Sequence, residues 1–190
     1  MLILVTGGSG SGKSQLAEQV SMALKREPFL YIATMQVWDA ECKARIARHR
    51  QQRAGKGFQT IEAPSRLAEA AAALKPGGTA LLECLSNLVA NEQFGGSGGD
   101  PVQTIWKGIG VLRQNTQHLV IVTNEVFSDG TPPDRAMQQY LQNLGKLNCA
   151  IAAQADVVIE CCAGMPVLWK GGIQYDKIMA GINADRTFHV

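Results

Sequence analysis

The sequence predicts an α/β fold, a single domain in which a mainly parallel sheet is flanked by helices. Three observations predict it. Short apolar runs alternate with helix-like segments along the chain. The runs are apolar throughout rather than at every second residue, as in strands buried on both faces. A glycine-rich turn from Gly7 to Gly12 separates the first run from the first helix.

The elements follow in order. Leu2-Ile-Leu-Val-Thr6 is the first strand, and a helix is expected from Lys13 to about Arg26. Phe29-Leu-Tyr-Ile-Ala33 is the second strand. Asp39 is a candidate N-cap for a helix running to about Arg53. Gly57 to Glu62 reads as a short strand. Ser65 begins an alanine-rich helix that ends at Pro76-Gly77-Gly78. Thr79-Ala-Leu-Leu-Glu-Cys84 is another buried strand, and Gly95 to Gly99 is a flexible, low-complexity loop. A helix is expected over Val102 to Gln114, then a strand over His118 to Thr123. Pro132-Pro133 opens a long helix through about Ala153. Asp156 to Glu160 and Met165 to Trp169 close the sheet. The catalytic domain is expected over residues 1–170, with residues 171–190 as a tail of unassigned structure.

Composition narrows the partners. The formal net charge is +2, nearly balanced, which gives no support for nucleic acid or an anionic membrane as partner. No apolar run approaches a bilayer-spanning length. The five cysteines are odd in number and lack a C-x-x-C pair, so zinc sites of the usual spacing and a disulfide framework are both unexpected. Reduced thiols and the lack of a targeting leader point to a cytoplasmic location.

The chemistry begins at Gly7-Gly8-Ser9-Gly10-Ser11-Gly12-Lys13-Ser14, which fits G-x-x-x-x-G-K-[ST]. Glycines let the backbone curl so that successive N–H groups point at phosphate oxygens. The following helix adds its positive end. Lys13 can reach the β- and γ-phosphates, and the Ser14 hydroxyl can ligate Mg²⁺. Position between a buried strand and a helix separates this from a chance glycine-rich turn. Guanine-reading switches usually carry N-K-x-D, and that string is absent. Such enzymes also place an acidic residue at a neighbouring strand end to hold the metal. Glu83 and Glu125 both qualify, and for each a helix-capping carboxylate is the alternative.

A second segment is Arg45-Ile-Ala-Arg-His49-Arg-Gln-Gln-Arg53. On a helix, Arg45, His49 and Arg53 share one face. Flanking cations disfavour a protonated imidazole, and a neutral imidazole can attack phosphorus while guanidinium groups clamp its oxygens. The spacing alone favours the plainer reading, a solvated basic helix with an idle histidine.

Taken together, the motifs resemble the bifunctional adenosylcobinamide kinase/adenosylcobinamide-phosphate guanylyltransferase family of cobalamin biosynthesis. The resemblance runs from Leu2 to about Trp169. It rests on Ile3-Leu-Val-Thr-Gly-Gly8, Tyr31-Ile-Ala-Thr34, Arg45-Ile-x-x-His49-Arg-x-x-Arg53, Leu81-Leu-Glu-Cys84, Thr123-Asn-Glu-Val126, and Gly145-x-x-Asn148 followed by Ala155-Asp156. It implies phosphorylation of adenosylcobinamide by ATP or GTP, then transfer of GMP from GTP through a GMP–histidine on His49. Implied nucleotide contacts are Gly7 to Ser14, Ile32, Ala33, Thr34, Arg50, Gln51, Gln52, Arg53, Glu62 and Glu83, with Ser14 and Glu83 at Mg²⁺. The implied fold is a phosphate-loop sheet in a homotrimer. Three places depart from the family pattern: Phe127-Ser-Asp-Gly130 after Val126, the tail from Gly171, and the glycine-rich Gly95 loop. A monofunctional small-molecule kinase and a nucleotide-binding regulatory protein are the alternatives.

Overall fold

A computed structural model describes residues 1–37, 40–95, 98–128, 130 and 134–187, apart from the side chains at 40–42, 45, 48, 49, 52 and 184–187. The strands are β1 (Leu2–Thr6), β2 (Phe29–Ala33), β3 (Gln59–Glu62), β4 (Thr79–Glu83), β5 (His118–Val122), β6 (Val157–Cys162) and β7 (Met165–Lys170). The helices are α1 (Lys13–Ala23), α2 (Ala40–Arg53), α3 (Leu67–Ala72), α4 (Leu85–Phe94), α5 (Pro101–Asn115), α6 (Arg135–Gln154) and α7 (Gly172–Thr187). The seven strands form one sheet in the order β3-β2-β4-β5-β1-β6-β7. All pairs are parallel except β6 with β7, which is an antiparallel hairpin.

The apolar runs behave as their composition requires. Along β1, Leu2 and Leu4 join the core on one face of the sheet, and Ile3 and Val5 join the core on the other. The first core takes in α3, α4, α5 and α6, through residues such as Leu67, Leu88, Ile105 and Leu147. The second takes in α1 and α7, through Leu16, Val20, Ile178 and Ile182. Both faces of the central strands are therefore covered, which is why alternation is missing from their sequence.

Helix boundaries follow local chemistry. α5 opens on Asp100, whose carboxylate accepts from the backbone N–H of Val102, with Pro101 in the first turn. α6 opens on Asp134, which accepts from Met137 N–H at 3.0 Å; Pro132-Pro133, expected to open this helix, lie outside the described residues. α1 stops at Ala23, short of Arg26, with Pro28 only a few residues beyond. α3 starts only at Leu67, because Arg66 sits in the left-handed region at its N-cap, and it ends at Ala72. α4 carries no start signal: Cys84 is its N-cap and makes no side-chain capping bond. Its buried Ser86, Asn91 and Glu92 also blur its apolar stripe. The expected N-cap Asp39 lies outside the described residues. The tail residues of α7 lie against α1, burying Ile178 and Ile182. Among the described residues, no helix is long and apolar enough to cross a membrane.

Because six strands run parallel, their carboxyl ends share one edge. Thr6, Ala33, Glu62, Glu83 and Val122 end there, where open α/β sheets bind ligands.

Candidate functional site

The turn between β1 and α1 is held from outside by backbone and side-chain bonds. Ser11 N–H donates to Gly8 O at 3.2 Å. Gly164 N–H, in the β6–β7 turn, donates to Ser11 O at 2.8 Å, and the Cys161 thiol donates to the same oxygen at 3.0 Å. Gly12 adopts φ 91°, a left-handed conformation that starts α1 with its free N–H groups facing the loop. At Gly7 a Cβ would fall 2.6 Å from the Cys161 carbonyl oxygen, so only glycine fits. Curvature and rigidity of the loop both come from these contacts.

Lys13 Nζ donates to Gly8 O at 3.2 Å, which folds the ammonium back over the turn. Ser14 Oγ donates to Glu83 Oε1 in a short hydrogen bond. Glu83 Oε2 accepts from the Tyr31 hydroxyl at 3.0 Å. Burial, then the Glu83 charge, pushes the Tyr31 phenol well above the usual tyrosine range, so it stays a donor. The Arg53 guanidinium lies over the Tyr31 ring, 3.5 Å from its centroid. Arg53 is 8% exposed, the one buried residue among the described side chains of α2. One turn earlier, Arg50 Nη2 pairs with Glu62 Oε1 at 2.6 Å.

These groups border one cavity of about 690 Å³. Lys13, Ser14 and Glu83 lie on its wall, as do Ala33, Arg50, Arg53 and Glu62. Lys43, on α2, adds a further cation. Four cations against two carboxylates give the cavity the sign that suits a polyphosphate. Ile32 and Thr34 are placed otherwise. The Ile32 side chain is in the core. Thr34 Oγ1 donates to Cys84 O at 2.8 Å and accepts from Cys84 N–H at 2.7 Å. Gln51 is exposed. His49 is a backbone position of α2, and its side chain, with those of Arg45 and Gln52, lies outside the described residues. His189 lies outside them too.

The two acidic candidates separate. Glu83 is 9% exposed and bonded to Ser14. The Glu125 carboxylate instead accepts from Phe127 N–H at 2.9 Å and Ser128 Oγ at 3.2 Å, capping its own turn. Among the described residues no group of three or more His, Cys, Asp or Glu side chains gathers. The residues present still fit Mg²⁺. A hydroxyl that donates to Glu83 leaves its oxygen lone pairs free for a cation, and Mg²⁺ commonly takes few protein oxygens beside phosphates and water.

Two cavity features were invisible in the motifs. Gln36 Oε1 is buried beside the cavity with no partner among the described residues. Asn124 Nδ2 donates to Ser86 Oγ at 2.6 Å, bracing the wall next to Cys84. Burial pushes the Cys84 thiol up, so it remains neutral. A lone glutamine in a loop carries no pattern, and the Asn124–Ser86 bond joins segments 38 residues apart.

A family model described as cobinamide kinase / cobinamide phosphate guanyltransferase matches residues 3–168. The bifunctional adenosylcobalamin biosynthesis protein CobU of Escherichia coli (strain K12) is 34% identical over 181 residues, covering 88% of this chain and 98% of the relative. CobU of Salmonella typhimurium gives 34% over 181 residues with the same coverage. CobP of Pseudomonas aeruginosa gives 32% over 173 residues, 88% of this chain and 96% of the relative. Among solved structures, a prototypical ATPase from the type III secretion system superposes with a TM-score of 0.50 at 11% identity, over 95% of this chain and 62% of that one. That likeness concerns the fold alone.

Proposed function

The chain belongs to the cobinamide kinase / cobinamide phosphate guanyltransferase family, and from that premise we propose that it phosphorylates adenosylcobinamide and then transfers GMP to the product through a covalent GMP–His49. The observation that carries the proposal is that the phosphate loop and the arginines of α2 open onto one cavity.

In the first reaction the alcohol oxygen of the corrinoid side chain attacks the γ-phosphorus of ATP or GTP. The bond to the β–γ bridging oxygen breaks, and the alcohol proton leaves to solvent. The loop N–H groups and Lys13 hold the β- and γ-phosphate oxygens and offset their growing charge. Ser14 and Glu83 would hold Mg²⁺ or its bound water, which supplies further charge neutralisation when bound.

In the second reaction a ring nitrogen of His49 attacks the α-phosphorus of GTP, and pyrophosphate departs with the broken α–β bridge. A phosphate oxygen of the corrinoid then attacks the same phosphorus and the P–N bond breaks. Two displacements replace one hard one. Arg50 and Arg53 stand on the same helix as His49 and border the cavity, where guanidinium groups suit phosphate oxygens. A homotrimeric, cytoplasmic enzyme is part of the same reading, and light scattering tests the assembly.

The deciding experiment is incubation with GTP labelled at the α-phosphate, followed by denaturation. Label on the protein that is acid-labile and base-stable is the expected result. No protein label, with kinase turnover intact, would leave a monofunctional kinase as the better reading.

A further inference from the structure

Glu83 uses both of its oxygens, and only one of them faces Ser14. Oε1 accepts from the Ser14 hydroxyl, while Oε2 accepts from Tyr31, a residue 52 positions earlier on the neighbouring strand β2. A carboxylate at the end of a side chain with three rotatable bonds has several rotamers open to it. Anchoring one oxygen leaves the other with one direction to face. The Tyr31 ring is itself fixed on two sides: Phe58 meets it edge-on at 6.0 Å and the Arg53 guanidinium covers it at 3.5 Å. The ring is 3% exposed and belongs to the core on the α1 face of the sheet. An aromatic with a polar tip is otherwise out of place in the apolar run of β2, and the tip is spent on Glu83.

We propose that Tyr31 is a positioning residue for the metal–phosphate end of the site: it clamps Glu83 Oε2 so that Oε1 orients the Ser14 hydroxyl, leaving the Ser14 lone pairs directed at the cation. The proposal rests on the reading of Ser14 and Glu83 as the Mg²⁺ contacts. It assigns Tyr31 no contact with substrate. Arg53 completes the clamp by stacking on the ring, which ties the basic end of α2 to the metal carboxylate through a single aromatic side chain.

The test is equilibrium binding of a fluorescent GTP analogue, measured across a Mg²⁺ titration and again in EDTA, for wild type, Tyr31→Phe and Glu83→Gln. Tyr31→Phe keeps the ring, the stack and the edge contact, and removes only the hydrogen bond. It is expected to raise the Mg²⁺ concentration for half-maximal enhancement of binding by roughly tenfold, the lower end of what one lost bond to a charged group costs. Affinity in EDTA should stay near wild type. If Glu83→Gln shifts the Mg²⁺ curve and Tyr31→Phe does not, the positioning role is overturned while the metal reading stands. If neither variant shifts it, the metal reading falls and takes this proposal with it. Equal weakening of Tyr31→Phe with and without Mg²⁺ also overturns the proposal, since it would mark a general packing defect.

Discussion

The two walls of the cavity are built differently. The phosphate-loop wall is part of the protein interior. α1 buries Leu16, Ala17, Glu18, Val20 and Ser21, and buried Glu18 takes an ion pair from Lys56. Glu83 ends a strand whose five residues are all buried. The α2 wall is attached to that interior from outside. Its described side chains contribute Arg53 alone to the buried set, and Arg50 meets Glu62 in an exposed pair. One wall is preorganised by packing, the other is held by a few polar contacts. The contrast matches the two chemistries proposed. Phosphoryl transfer to an alcohol needs fixed charge and geometry more than a protein nucleophile. Covalent guanylyl transfer adds a nucleophile to a frame that already binds the nucleotide.

The strongest way to break that contrast is His49→Ala. Covalent GMP labelling and guanylyl transfer should vanish, while nucleotide binding and measurable kinase activity remain. His118→Ala and His189→Ala should take label like wild type. Label incorporation and phosphorylated corrinoid, measured in parallel, check this. Continued labelling of His49→Ala would move the nucleophile elsewhere, and loss of both activities would mean the walls do not act separately.

Lys13→Ala should come next in size, and it should strike both reactions. Losses of roughly two orders of magnitude or more are expected when a cation at developing charge is removed. Steady-state turnover of each half-reaction checks this, and wild-type-like rates would remove the phosphate loop from the chemistry. Ser14→Ala should have a smaller effect, raising the Mg²⁺ needed for half-maximal activity by roughly tenfold. An unchanged metal titration would contradict the role given to that hydroxyl.

The smallest effect sharpens the description of the outer wall. Arg50 and Glu62 are both well exposed, so Glu62→Gln should change folding stability by less than ~1 kcal/mol. Urea unfolding measures it. A loss several times larger would show that the α2 wall is anchored through this pair after all.

How much of this was legible in the sequence follows from how local each signal is. The strand, glycine turn and helix around Gly7 to Ser14 lie within one stretch, and each residue type has a direct mechanical reason to be there. The buried strands declared themselves by unbroken apolar runs, because parallel strands covered on both faces have no polar side to show. Glu83 was legible as a candidate and not as a choice over Glu125, since only the fold shows which carboxylate meets Ser14 and which caps its own turn. Arg53 was read as a phosphate contact from its motif, but its stacking on Tyr31 depends on how α2 returns to β2. α4 escaped because it starts without a capping side chain and buries polar residues. α7 escaped because its apolar residues make sense only beside α1.

The sheet order carries one more consequence, for the chain as it is made. β1 lies between β5 and β6, so this strand has no partner in the sheet until residues 118–122 have been made. The Ser11 carbonyl waits longer still, for donors supplied by Cys161 and Gly164. The chain must therefore be made as far as Gly164 before the glycine-rich turn can close. A nascent chain truncated before residue 161 should contain the entire glycine-rich motif and yet hold nucleotide poorly, because the motif is finished by the β6–β7 hairpin, about 150 residues away.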